Sequence, residues 1–493
     1  MAYVLGIDLG TSSLKGLLVN PEGEIVYETS TDYPTLSPQA GYSEQDPQVW
    51  LDAMDIVLSR LVADVPDAKE QLAGISISGQ MHSLVLLDEQ RRALRNAILW
   101  NDVRTTTQCQ QIIETLGEDL LAITKNTALE GFTLPKILWV QEHEPDIWAA
   151  TKGFQLPKDY LRLWLTGEYH MDLSDAAGTL LLDVEKAEWS PLIAERFNLE
   201  IEQFPILVDS VGQTGVVKAG LAARYGFVQP VKVFAGGADN ACAAVGSGVV
   251  KADIGMSSIG TSGVFLSMED TAQKDYQGRL HLFNHAVPQQ YYSMGVTLSA
   301  GNSLNWFKRT FAKALSFDEL LAGIDEIPAG SEGLLFSPYI TGERTPHNDA
   351  NIRGSFIGMD VRHELGHFTR SVLEGITFSL KDSFNLMQSV ANKEFSTIVS
   401  VGGGAKNRTW LQIQADVFNT PISVLKSEQG PGLGAAMLAA VGLGWFENLE
   451  ACSERFVEVA EVIQPNRENV AIYEAAYARY QRIYAASKEV LMA

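Results

Sequence analysis

The chain has 493 residues, 46% of them hydrophobic and 20% charged, and its net charge is −23. A chain of this length exceeds what one compact core usually holds, so we expect two domains. The balance of 60 acidic against 37 basic residues argues against a general nucleic-acid or anionic-membrane surface, which would need a basic face. It does not exclude a phosphate ligand, because backbone N–H groups can bind phosphates without net positive charge.

The three cysteines, Cys109, Cys242 and Cys452, are far apart and odd in number. This pattern argues against a disulfide framework or a structural zinc site and favours a reducing compartment. The first residues lack the basic stretch of a signal peptide, and the longest uncharged apolar run, residues 434–446, is too short to span a bilayer. We therefore expect a cytoplasmic protein without a membrane segment.

The first motif is a tight turn between two strands. Residues 3–8 form an apolar run that ends at Asp8, and Gly10, Thr11 and Ser12 precede a second apolar run. Such a turn exposes backbone N–H groups and hydroxyls that suit phosphate oxygens, and Asp8 could orient a magnesium ion. Lys15 follows as a candidate phosphate contact. Taken alone, the stretch is better explained as a plain β-hairpin.

A similar pattern recurs about half a chain later. Residues 254–265 again run strand, turn, strand, with Gly260, Thr261 and Ser262 in the turn. Two such hairpins indicate a duplicated domain and could clamp a polyphosphate between them. We place the boundary so that the domains are 1–246 and 247–493, each α/β with a mixed sheet. The chain contains no Walker-type phosphate loop.

The third motif is a glycine-rich turn after the apolar stretch 397–401. Consecutive glycines let an adenine ring or a phosphate approach the backbone closely, although a loose strand-to-helix turn explains them equally well. The candidate nucleotide-binding residues here are Gly402, Gly403, Gly404, Ala405 and Asn407.

The fourth motif places Asp239 and Asn240 after two glycines and the apolar run 231–235. An aspartate at the end of a strand sits where α/β folds usually place reactive groups, and it could accept a proton from a sugar hydroxyl. Without the other motifs, a helix N-cap would be the favoured interpretation of Asp239.

These four loops, in this order, resemble those of the FGGY carbohydrate kinases. Two longer segments, residues 131–142 and 354–374, also look like that family's two signatures. The resemblance covers nearly the whole chain. It implies the actin-like, ribonuclease-H-like fold, with two domains and a cleft between them.

Narrower features resemble the xylulose kinases within that family. They are residues 42–47, 79–82, 99–104, 156–160, 174–179 and 342–347. The resemblance implies that Met81, His82 and Asn240 bind the sugar and that Asp239 is the catalytic base.

The segment 99–104 adds three candidate sugar contacts, Trp100, Asp102 and Arg104. Trp100 could stack on a sugar face or fill the core, and the sequence leaves both open. Lys136 and Trp139 are three apart on a predicted helix and therefore share a face. Packing and sugar contact are equally good explanations of that pair.

The implied reaction is the ATP-dependent phosphorylation of D-xylulose to D-xylulose 5-phosphate, with Mg²⁺ held near Asp8 and Asp239. Family members acting on gluconate, ribulose, glycerol or another polyol are the closest alternatives. A non-catalytic sugar-binding regulator and an actin-like ATPase are weaker ones. The expected partners are the ketose and ATP, and a homodimer is one open arrangement.

Overall fold

The structure is a computed structural model that describes residues 2–491. The strands of the first half are β1 (Tyr3–Leu9), β2 (Ser13–Val19), β3 (Ile25–Asp32), β4 (Glu44–Gln45), β5 (Leu72–Gly79), β6 (Val85–Leu87), β7 (Ala97–Ile98), β8 (Gly153–Gln155), β9 (His170–Asp172), β10 (Leu182–Asp183), β11 (Glu188–Trp189), β12 (Ile206–Val208), β13 (Gln213–Val216), β14 (Lys232–Phe234) and β15 (Gly237–Ala238). Those of the second half are β16 (Ile254–Ile259), β17 (Gly263–Glu269), β18 (His281–Asn284), β19 (Tyr291–Thr297), β20 (Leu335–Ser337), β21 (Ser355–Ile357), β22 (Thr397–Gly402), β23 (Ile422–Leu425) and β24 (Val459–Ile463).

Helices alternate with these strands in both halves. The first half contains α1 (Gln48–Asp64), α2 (Ala68–Gln71), α3 (Thr106–Leu116), α4 (Glu118–Thr124), α5 (Thr133–His143), α6 (Pro145–Ala150), α7 (Pro157–Thr166), α8 (Leu173–Ala177), α9 (Pro191–Arg196), α10 (Ala219–Tyr225) and α11 (Asp239–Gly246). The second half contains α12 (Gly301–Phe311), α13 (Phe317–Leu321), α14 (Leu365–Ala391), α15 (Arg408–Phe418), α16 (Gly430–Gly442), α17 (Leu449–Phe456), α18 (Arg467–Tyr480) and α19 (Ile483–Leu491). None of the helices described is long and apolar enough to cross a membrane.

Each half is organised around one mixed sheet. The first has the order β13-β14-β5-β1-β2-β3, with β15 beside β5, and the second has the order β18-β19-β17-β16-β22-β23-β24. In the first sheet β1 is antiparallel to β2 and parallel to β5. In the second, β16 has the same relation to β17 and β22. The predicted class, two α/β domains with mixed sheets and a repeated hairpin, is confirmed.

The helix α16 lies in the second half of the chain but packs on the first sheet, against β1 and β5, and beside α11. The helix α16 approaches α11 and β1 so closely that main-chain atoms are in contact. A Cβ on Gly434 would lie 1.9 Å from the carbonyl oxygen of Cys242, and one on Gly6 would lie 2.1 Å from that of Gly432. The small residues of α16 therefore serve close helix packing, and the two halves share this helix.

We predict that Gly434→Ala destabilises the fold, because the added methyl group meets a backbone carbonyl that cannot rotate away. The expected loss in unfolding free energy is at the upper end of roughly 1–3 kcal/mol, the usual cost of overpacking. Chemical denaturation measures it. The matched control is Gly220→Ala in α10, where a Cβ would meet nothing within 4 Å. An equal effect of both substitutions would contradict the packing argument.

Candidate active site

Three cavities are lined by residues of the predicted motifs, and the first two share Asp239 and Asn240. Cavity A has a volume of about 190 Å³ and is lined by Met81, His82, Trp100, Leu129, Gly131, Phe132, Asp239, Asn240, Ser262, Val264, His281, Met294, Val296 and Arg344. Cavity B, of about 430 Å³, is lined by Asp8, Lys15, Asp239, Asn240, Ala243, Ser247, Ser258, Val401, Gly402, Glu428, Gln429, Gly430 and Pro431. Cavity C, of about 400 Å³, is lined by Ile259, Gly260, Thr261, Gly301, Leu304, Asn305, Phe317, Asp318, Leu321, Gly403, Lys406, Asn407 and Trp410.

Asp239 lies on the wall between cavities A and B, because it lines both. One carboxylate oxygen, Oδ1, accepts from the backbone N–H of Asn240 at 2.7 Å and from its side-chain amide at 3.0 Å. Among residues 2–491, no hydrogen bond reaches Oδ2. The N-cap of α11 is Ala238 and has no side-chain cap bond, so Asp239 is not the cap that the sequence alone favoured. Its free oxygen is available to a ligand.

Asp8 is the penultimate residue of β1 and lines cavity B together with Asp239. Burial, reinforced by the negative charge of Asp8, raises the pKa of Asp239 to about 7. Burial also raises the pKa of Asp8 to about 6, although Lys15 opposes the shift. Asp239 thus has a second buried carboxylate beside it, and Lys15 is the cation that acts on Asp8.

These carboxylates fit a magnesium ion that is completed by other ligands. Within the part of the chain that the structure describes, no group of three or more His, Cys, Asp or Glu side chains could hold a metal by itself. Mg²⁺ usually binds through one or two carboxylates and takes its other oxygens from water and substrate phosphates. Asp8 and Asp239 on one cavity wall are such a partial set.

His82 presents a neutral acceptor to cavity A. Its Nδ1 lies 2.7 Å from the carbonyl oxygen of Gly178, which accepts, so Nδ1 carries the proton and Nε2 is an acceptor. Burial lowers the pKa of His82 to about 3 and keeps the ring uncharged. The residue has a φ of 67°, in the left-handed region. This unusual backbone conformation and the Gly178 bond fix the direction of the ring.

Met81 and Trp100 also line cavity A. The sulfur of Met81 lies 3.7 Å from the amide nitrogen of Asn240. The indole N–H of Trp100 donates to the hydroxyl of Thr11 at 2.9 Å, and 44% of this side chain is exposed. Trp100 therefore borders the opening of the cavity and does not fill the core.

Asp102 and Arg104 do not line cavity A. Asp102 is completely buried, accepts from the backbone N–H of Ser43 at 2.6 Å and is paired with Arg104 at 2.7 Å. The Arg104 guanidinium also pairs with Glu44 at 2.8 Å and lies 3.7 Å from the ring centroid of Tyr42. In this arrangement the two residues support the loop beside the cavity.

Each of the two predicted phosphate turns is closed by a backbone hydrogen bond from its glycine, but the first turn is one residue longer than the second. The backbone N–H of Gly10 donates to the carbonyl of Ser13 at 3.0 Å, and that of Gly260 donates to the carbonyl of Ser262 at 3.0 Å. Gly260 and Thr261 line cavity C, and Ser262 lines cavity A. Gly10, Thr11 and Ser12 form the turn that follows Asp8, and Lys15 lines cavity B.

Cavity B is also lined by four residues that the sequence analysis did not single out, Glu428, Gln429, Gly430 and Pro431. The Nζ of Lys15 donates to the side-chain oxygen of Gln429 at 2.9 Å, and the backbone N–H of Gly402 donates to Glu428 at 2.8 Å. The helix α16 begins here, and its first N–H groups have no partner within the helix. The Gly-Pro-Gly run at 430–432, which forms the start of this small-residue helix, was the signal for this wall of cavity B.

The glycine-rich turn of the third motif is divided between two roles. Gly402 lines cavity B, and Gly403 and Asn407 line cavity C. Gly404 and Ala405 are buried, and a Cβ on Gly404 would lie 2.6 Å from the side chain of Ile259. Those two residues therefore pack the turn against β16 and do not line a cavity.

A buried ion cluster supports the site from beneath. The Nζ of Lys158 lies 2.7 Å from Asp159, 2.8 Å from Asp172 and 3.1 Å from Asp175, and all four side chains are completely buried. Ser174 donates to Asp172 and accepts from the backbone N–H of Ala238 at 2.9 Å. The cluster thereby fixes β15, the strand that immediately precedes Asp239.

Comparison with known proteins matches both halves of the chain to one family. The N-terminal domain of the FGGY family of carbohydrate kinases matches residues 3–246, and its C-terminal domain matches residues 255–443. This chain belongs to the FGGY family of carbohydrate kinases. The family resemblance inferred from the motifs is confirmed, and the enzyme class is a sugar kinase.

Relatives and solved structures give the same assignment. The chain is 55% identical over 491 residues to a xylulose kinase from Lactococcus lactis subsp. lactis (strain IL1403), covering 99% of this chain and 98% of that one. It is similar to ligand-bound xylulose kinase from Lactobacillus acidophilus, with 28% identity, a TM-score of 0.93 and coverage of 100% and 99%. The gluconate kinase of Lactobacillus acidophilus has 27% identity, a TM-score of 0.92 and coverage of 98% of each chain. The backbone alone therefore does not select the sugar.

We predict that Asp239→Asn stabilises the free protein at pH 8. Because the pKa of Asp239 is raised to about 7, above that of an unfolded chain, its carboxylate destabilises the fold above pH 7. This penalty shrinks as the pH falls and is gone near the unfolded pKa of about 4. Without divalent cations, the melting temperature should rise by at least about 2 °C at pH 8 and by less at pH 5. The control is Asp325→Asn on the surface, and an equal shift at both pH values would contradict the argument.

Proposed function

We propose that this kinase transfers the γ-phosphoryl group of ATP to the terminal primary hydroxyl of D-xylulose and forms D-xylulose 5-phosphate. The observation that supports it most strongly is Asp239, whose carboxylate lines both cavity A and cavity B. A sugar in A and a triphosphate in B would meet at this carboxylate. The sugar itself is chosen on the 55% identity to a xylulose kinase over nearly the whole chain.

In this mechanism Asp239 accepts the proton of the attacking hydroxyl through Oδ2. Asn240 holds Oδ1 by two hydrogen bonds and so orients the free oxygen. His82 Nε2 accepts from a second sugar hydroxyl, which fixes the sugar relative to Asp239. Phosphoryl transfer depends mainly on positioning and on stabilising charge, and these residues position one of the two reactants.

The triphosphate is positioned by cavities B and C. We assign the adenosine to cavity C, between the turn at Gly260 and the segment from Gly403 to Asn407. The phosphates then enter cavity B, toward Lys15 and the first N–H groups of α16. Asp8 and Asp239 would hold Mg²⁺, which would neutralise charge on the phosphates when it is bound.

The main alternative is a gluconate kinase. Cavity A contains a cationic side chain, Arg344, that could pair with a carboxylate. The intact Asp8 and Asp239 count against a non-catalytic regulator, because such a protein does not need two carboxylates at the phosphate cavity. The free, buried cysteines suit a cytoplasmic enzyme. A homodimer stays a prediction.

Substrate preference tests the proposed sugar directly. With Mg²⁺ and ATP in excess, ADP release should give the highest kcat/KM for D-xylulose among single ketoses, polyols and aldonates. This expectation depends on cavity A, where Asp239 and the uncharged His82 can both accept hydrogen bonds from sugar hydroxyls. A preference of about tenfold or more for gluconate, glycerol or L-ribulose would show that the sugar is wrongly chosen.

Asp239→Asn tests the general base. Asparagine has nearly the same shape but cannot accept the proton, so kcat should fall by at least about 10²-fold, within the range of general-base assistance. Sugar binding should largely persist, because asparagine keeps the shape of the aspartate side chain. Quenching of tryptophan fluorescence can measure this binding, since Trp100 lines the cavity. A well-folded variant with nearly full turnover would remove Asp239 from the catalytic role.

A further inference from the structure

Cavity A contains a cation that has no partner in the protein. Arg344 lines this cavity, and no side-chain hydrogen bond or ion pair joins its guanidinium to any residue between 2 and 491. The neighbouring carboxylate of Glu343 is already occupied. It accepts from Thr297 at 2.6 Å, from Ser379 at 3.0 Å and from the backbone N–H of Leu298 at 3.0 Å. Arg344 is partly exposed and lines the cavity, so its guanidinium N–H donors are available to a ligand.

His281 provides an acceptor beside this cation. Its Nδ1 lies 2.9 Å from the side-chain oxygen of Asn126. That amide is oriented by its own donation to the carbonyls of Thr124 at 2.8 Å and Leu282 at 2.9 Å, so its oxygen accepts and Nδ1 of His281 carries the proton. Nε2 is therefore an acceptor, and His281 lines cavity A. Burial and the charge of Arg344 hold the pKa of His281 well below its usual range.

Arg344 and His281 line cavity A but not cavity B. Asp239 marks the reacting end of cavity A, because it also lines cavity B. A sugar whose terminal hydroxyl is at Asp239 would place its opposite end against Arg344 and His281.

The chemistry of that opposite end follows from the proposed substrate, on which this step rests. A 2-ketopentose closes its furanose ring through O5, so its 5-hydroxyl is free only in the open chain. The open chain has a free C2 carbonyl, which accepts hydrogen bonds, and a C1 hydroxyl, which can donate one.

We propose that Arg344 donates to the C2 carbonyl oxygen of the open-chain ketose and that His281 Nε2 accepts from its C1 hydroxyl. Both residues belong to the second half of the chain, whereas Asp239 and His82 belong to the first. The keto end is therefore recognised by one half and the reacting end by the other. Arg344 and His281 are the specificity residues that separate 2-ketoses from polyols.

Two variants and two substrates test this assignment. Arg344→Met should raise the KM for D-xylulose at least about tenfold, because a polar sugar group loses its partner, while kcat and the KM for ATP change little. His281→Asn keeps an N–H near the Nδ1 position and removes the Nε2 acceptor. It should raise the KM for D-xylulose but not that for 1-deoxy-D-xylulose, which lacks the C1 hydroxyl. Sugar affinity without ATP, read by tryptophan fluorescence, should fall in parallel.

The control for Arg344→Met is Arg362→Met, since Arg362 is exposed and pairs with Asp360 outside the cavity. Melting temperatures verify folding, and Arg344→Lys, which keeps the charge but not the planar fork, replaces Arg344→Met if the latter does not fold.

Three results would overturn the proposal. An unchanged KM for D-xylulose in Arg344→Met would do so, as would a loss confined to kcat, which would assign the guanidinium to the transferred phosphoryl group. A wild-type preference for gluconate that Arg344→Met abolishes would show a carboxylate partner instead. That last result would overturn the proposed sugar as well, whereas the first two would leave it intact.

Discussion

The backbone contact between α16, α11 and β1 is the constraint on which the site depends. At Gly6, Gly246 and Gly434 a single methyl group would meet backbone oxygen atoms within 2.2 Å. Through this contact a helix from the second half is fixed on the sheet of the first. Both helices begin at cavity B, so Asp239 and the free N–H groups of α16 are held by main chain, which cannot change rotamer. Positioning of this kind is what phosphoryl transfer requires.

The cluster around Lys158 provides the same rigidity on the other side of Asp239. Burying one lysine among three aspartates is expensive, and an apolar core of equal volume would often be as stable. Unlike apolar side chains, the cluster can position the main chain, because its polar groups are linked to backbone atoms by hydrogen bonds. Through Ser174 it holds the N–H of Ala238, and the segment after Asp175 supplies the Gly178 carbonyl that orients His82. One network thus fixes both the base and a sugar-binding ring.

The sequence indicated which candidate residues lie near the ends of strands, whereas their roles stay predictions. Asp8, Asp239 and the pair Met81–His82 each follow an apolar run, and the structure brings them to adjoining cavities. It could not predict the direction of loop side chains, so Asp102 and Arg104 were expected at the sugar and instead lie in a buried ion network. His281 and Arg344 are the reverse case, because they line cavity A but were not expected there. Each is distant in sequence from the other residues of cavity A, and only the packing of these segments shows that they line the same cavity.

The two sides of the site differ in charge. Without a divalent cation, burial and the charge of Asp8 raise the pKa of Asp239 to about 7, and burial raises that of Asp8 to about 6. A divalent cation held by these two carboxylates would lower both pKa values and so favour the ionised form of Asp239 that accepts a proton. The sugar side has the opposite character, with two neutral histidines and one unpaired guanidinium. Cavity A therefore offers hydrogen-bonding groups to a neutral sugar, whereas the carboxylates at cavity B would need a cation between them and an anionic phosphate.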